Sequence, residues 1–84
     1  MSVMPDAERM MAILRGVYDG PHTTANLYSR IISRLSGREE DPISIELVVR
    51  LAMADYTDGM PTAMIATTSL LVDKYIEALV RELS

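Results

Sequence analysis

Residues Ile43-Ser44-Ile45-Glu46-Leu47-Val48-Val49-Arg50-Leu51-Ala52-Met53-Ala54-Asp55-Tyr56 decide the fold. Only Ser44, Glu46, Arg50 and Asp55 break the apolar run. A helix that is apolar around most of its circumference has to be enclosed by other helices or by a partner chain. The stretch therefore predicts an all-α, compact bundle of four to five helices, with this third helix (about 42–55) at its centre. Asp41 is placed to cap it and Pro42 suits the first helical position, where the missing N–H costs nothing. Thr57-Asp58-Gly59-Met60 supplies the break that follows.

On the C-terminal side, Thr67-Thr68-Ser69 interrupts residues 61–83 with side chains that favour caps over helix interiors. The expectation is a short helix over 61–66 and a longer one over 69–83, capped by Thr68 or Ser69. Leu71, Val72, Tyr75, Ile76, Leu79, Val80 and Leu83 give the longer helix a buried face. On the N-terminal side, helices are expected over about Pro5–Tyr18 and Thr24–Ser36. Met10, Met11, Leu14, Val17 and Tyr18 line the first; Leu27, Tyr28, Ile31, Ile32 and Leu35 line the second. Asp19-Gly20-Pro21 and Gly37 are the stops. The expected core joins Leu47, Val48, Leu51, Leu71, Val72, Tyr75, Ile76 and Leu79 to Met11, Leu14, Leu27, Ile31 and Leu35. No run of period-two alternation predicts a strand.

The 84 residues read as one domain, 1–84. A chain this short buries only about 60–65 % of its unfolded surface and usually gains support from disulfides, a metal or another subunit. With no cysteine and one histidine, disulfides, thiolate sites and multi-histidine zinc sites are excluded. Binding to another protein or to a second copy is the remaining common supplement. The net charge of −4 disfavours general phosphate-backbone binding. No segment reaches the roughly 18–20 apolar residues of a membrane span. The start, Met1-Ser2-Val3-Met4-Pro5-Asp6, lacks a basic leader pattern, so a cytoplasmic location is expected.

Four features could carry chemistry. His22 lies in a turn near Asp19, but its surroundings read as an exposed structural turn; no nucleophile elbow, phosphate loop or metal motif accompanies it. Arg30, Arg34 and Arg38 recur every four residues and would share one face of an extended second helix, either as a basic stripe for an acidic partner or as a solvated face. Glu39, Glu40 and Asp41 suit the start of the third helix, and with Glu46, Asp55 and Asp58 they could also form an acidic patch. Seven methionines stand beside no Phe or Trp. Met53, Met60 and Met64, with Tyr56, could line an adaptable apolar surface, since thioethers conform to irregular partners.

Residues 41–76 resemble the second half of an acyl carrier protein. The likeness rests on Ile45-Glu46-Leu47-Val48-Val49-Arg50-Leu51, on Tyr56, on the Met60-Pro61 step and on Thr67-Thr68-Ser69 before Leu70 to Ile76. That family carries phosphopantetheine on a serine that follows an aspartate at the start of its second helix. Here Pro42 follows Asp41, so no prosthetic group is assigned to any residue.

The sequence thus predicts a non-enzymatic, small helical protein-interaction module. It would act by stoichiometric binding, in the manner of an adaptor, an immunity protein or antitoxin, or a phage- or plasmid-encoded inhibitor, and it could self-associate. The expected partner is another protein or a second copy, with no cofactor and no membrane. Arg30, Arg34, Arg38, Met53, Met60, Met64 and Tyr56 are the candidate partner-binding residues. One alternative is an acyl-carrier-like bundle lacking the phosphopantetheine serine. Another is a small nucleic-acid-binding regulator that uses the second helix.

Overall fold

The third helix starts and stops where its capping residues dictate. In the computed structural model, which describes residues 7–18, 24–36 and 41–83, α3 spans Pro42–Thr57. Asp41 is extended (φ −87°, ψ 152°), and its carboxylate accepts a hydrogen bond of 2.9 Å from the Ser44 backbone N–H. That bond satisfies one of the donors a helix N-terminus leaves open. It also holds the Asp41 carboxyl below the usual carboxylate range. At the other end the Thr57 hydroxyl donates to the Met53 carbonyl at 2.8 Å, and the Met60 N–H closes a turn on the Thr57 carbonyl at 2.9 Å. Gly59 turns the chain with φ 82°, a left-handed conformation that L side chains avoid.

The remaining elements are α1 (Ala7–Val17), α2 (Thr24–Leu35) and α4 (Thr62–Leu83). Four helices, and no strand, are found among the described residues. The expected break at Thr67-Thr68-Ser69 does not occur: one helix of 22 residues runs through it. The Thr67 hydroxyl donates to the Ala63 carbonyl at 3.1 Å, one turn back. A hydroxyl satisfied in this way competes less with the helical ladder, and the apolar face from Val72 onward secures the rest. Pro5, Asp6, Asp19, Gly20, Pro21, His22, Gly37, Arg38, Glu39 and Glu40 lie outside the described residues.

The helices pack in a ring. α2 and α4 each lie against α3, and α1 closes the circuit by packing on α4 and α2. The four-residue link between α3 and α4 makes them antiparallel neighbours, and the Arg50–Asp73 ion pair at 2.9 Å fixes their register. The core consists of Met10, Leu14, Leu27, Tyr28, Ile31, Leu35, Ile45, Val48, Val49, Ala52, Val72, Tyr75, Ile76, Leu79 and Leu83. At its centre the Tyr28 and Tyr75 rings meet edge to face, with centroids 5.7 Å apart, a favoured aromatic arrangement. The Tyr28 hydroxyl donates to the carbonyls of Leu14 (3.4 Å) and Tyr18, so α2 is tied to the end of α1.

Two expected core members are misplaced. Leu47 and Leu51 are 60 % and 55 % exposed. Met11 and Leu71 are half-buried at the core's edge. α3 is flanked by two helices and leaves a face open to solvent, so the bundle itself does not enclose its apolar circumference.

Candidate functional site

The apolar residues of α3 form two arcs. At 3.6 residues per turn, Ile45, Val48, Val49 and Ala52 face inward and are buried, while Ile43, Leu47, Leu51 and Ala54 face outward and are exposed. Ile43 is 73 % exposed. Three large aliphatic side chains at i, i+4 and i+8 thus form one stripe along the outside of the helix. Singly scattered exposed aliphatics are ordinary on small proteins; these three adjoin on one helix face.

Charged residues border this stripe on both sides. Toward α4, Arg50 donates to Asp73 (2.9 Å) and to Glu46 one turn back (3.3 Å). Asp73 first, and Glu46 after it, push the Arg50 guanidinium further up in basicity, so it stays charged. Toward α2, Arg34 pairs with Asp55. Arg34, Ser44, Leu47, Val48 and Leu51 line a depression of about 230 Å³ between α2 and α3. The row is apolar along its centre; Arg34 and Asp55 balance on one flank, and Glu46 and Asp73 share Arg50 on the other, which leaves one negative charge in excess there. Beyond the Arg50–Asp73 pair, Leu70 is also largely exposed on α4.

The described residues among those singled out from the sequence lie at several places on the fold. Arg34 is held by Asp55, which leaves it less available to an outside anion. Arg30 is exposed beside Ser29 and Ser33. α2 ends at Leu35, and Arg38 lies outside the described residues. Met53 and Tyr56 pack half-buried against the core. Met60 sits half-buried in the α3–α4 turn. Met64 is exposed and, with Tyr18, Thr67, Thr68 and Leu71, lines a mostly apolar groove of about 380 Å³ at the start of α4. Asp41 and Pro42, where the carrier-protein resemblance would set its serine, serve as cap and first residue of α3.

The outward stripe was missed because α3 reads as uniformly apolar. Its polar residues held the signal. Glu46 and Arg50 on one side, and Ser44 and Asp55 on the other, divide the circumference into two apolar arcs. No protein-family model, curated protein or solved structure matches this chain.

Proposed function

We propose that this chain is a helical protein-interaction module whose docking face is the outward side of α3. The supporting observation is the row Ile43, Leu47 and Leu51, each more than half exposed on a well-capped helix. Removing the exposed part of such a side chain from water is worth about 1–2 kcal/mol. Binding would thus remove an unfavourable surface and complete the enclosure of α3, making it the central element of the assembly. Function on this reading is stoichiometric binding with no chemical step. The stripe supplies affinity and the surrounding charges set orientation. A cysteine-free composition suits work in the cytoplasm.

The absence of cysteine also makes the test clean. A photo-crosslinker attached through Leu47→Cys should give an adduct of defined stoichiometry in the native host, and the same reagent at Glu77→Cys, on the exposed side of α4, should not. No adduct from position 47, or the same adducts from both positions, would overturn the reading.

A further inference from the structure

Resting on the reading of α3's outward side as a docking face, we propose that its occupant is a second copy of this chain, docked antiparallel about a two-fold axis that crosses the outward face at the level of Val48 along the helix. The placement of charge and bulk along α3 selects this arrangement.

A two-fold axis that sets two α3 helices antiparallel brings each border of the stripe against the same border of the other copy. The border toward α4 carries Glu46 and Arg50, whose guanidinium reaches Asp73. Midway between Glu46 and Arg50 is Val48. An axis there sets Glu46 opposite the second copy's Arg50 and Arg50 opposite its Glu46, so two equivalent ion pairs form. Arginine has five N–H donors, enough for Arg50 to keep Asp73 while it meets a carboxylate from across the interface.

The apolar row has nearly the same midpoint. It runs from Ile43 to Ala54, so one axis centres both charge and bulk. In that register Ile43, the most exposed of the row, lies over the small Ala54 of the second copy, and the Leu47 and Leu51 side chains of the two copies pack around the axis. Rows spaced four apart can interdigitate with rows of the same spacing on a facing helix. A parallel two-fold arrangement would instead set the Glu46–Arg50 border against the Ser44–Asp55 border and lose both new ion pairs. The surface is one helix face wide, at the small end of specific interfaces, so the dimer should dissociate in the micromolar-to-millimolar range.

Sedimentation equilibrium from micromolar to millimolar concentration tests this, with circular dichroism to confirm that each variant is folded. The wild-type chain should convert reversibly to a dimer. Leu47→Glu should raise the dissociation constant roughly thirtyfold or more, as loss of a central contact does. Glu46→Arg and Arg50→Glu should each be monomeric alone, and an equimolar mixture of the two should recover a heterodimer. Charges with only a structural role within one copy would produce no such recovery. A wild-type chain that stays monomeric at millimolar concentration, or variants that do not recover on mixing, overturns the proposal. If a monomeric wild type still binds an apolar fluorescent probe that Leu47→Glu releases, the dimer falls while the docking face stands. If it binds none, both fall.

Discussion

Ile45 and Leu47 stand two residues apart on α3, and their surroundings predict opposite responses to the same truncation. Ile45 is wholly buried within the core cluster. Ile45→Ala removes packed methyl and methylene groups and leaves a cavity, at a cost of about 2–5 kcal/mol. A domain of this length has a total stability of about 4–13 kcal/mol. The loss is therefore a large share of the whole, and the thermal midpoint should fall by about 10 °C or more. Leu47 is 60 % exposed. Full burial of a leucine is worth about 1.5–3 kcal/mol, so Leu47→Ala forfeits about 1 kcal/mol or less. The better helix propensity of alanine returns a small part of that. Urea unfolding followed by circular dichroism at low micromolar concentration reads both values without a contribution from association. The two variants should share the wild-type slope and differ in midpoint. Equal destabilisation by the two truncations would mean that Leu47 packs inside the single molecule, and the outward stripe would not exist.

Other expectations follow from the same contacts. Tyr28→Phe deletes the hydroxyl that donates to the Leu14 and Tyr18 carbonyls and faces the Tyr75 hydroxyl at 3.5 Å; a loss of about 1–2 kcal/mol by urea titration is expected, and an unchanged midpoint would refute the tie between α1, α2 and α4. Ser69→Pro separates one long helix from two: within a continuous α4 it costs about 3 kcal/mol or more, whereas at the first position of a separate helix it would be tolerated. The Asp41 carboxyl is held low chiefly by the Ser44 backbone hydrogen bond, then by the Ser44 side chain. Its folded pKa lies below its unfolded one, so its contribution is present above the ordinary value of 3.8 and is lost as pH falls through the lowered value. Asp41→Ala should flatten the acid limb of a stability–pH profile, and an unaltered limb would show that the cap carries no such linkage.

The all-helical class, the α3–α4 turn and most of the core were legible because local chemistry and burial agree there. Asp41-Pro42 predicts a helix start that forms as read, and Asp58-Gly59 marks a turn that needs a left-handed residue. Val72, Tyr75, Ile76 and Leu79 follow helical spacing and are buried as that spacing implies. The α4 break failed because Thr67 has two outlets for its hydroxyl, and backbone bonding to Ala63 replaces capping. Leu47 and Leu51 failed for another reason. Burial belongs to the assembled bundle, and no residue type distinguishes a leucine that meets a neighbouring helix from one that meets water. For the arginine series, Asp55, far along the chain, reaches Arg34, a contact that spacing within α2 cannot reveal.

Methyl accessibility on α3 tests the central claim most directly. In a dilute sample with labelled isoleucine, leucine and valine methyls, a soluble paramagnetic agent should strongly broaden Ile43, Leu47 and Leu51 and spare Ile45 and Val49. As concentration rises, the first three should become protected together. Equal protection of all five methyls in the dilute monomer would contradict the account.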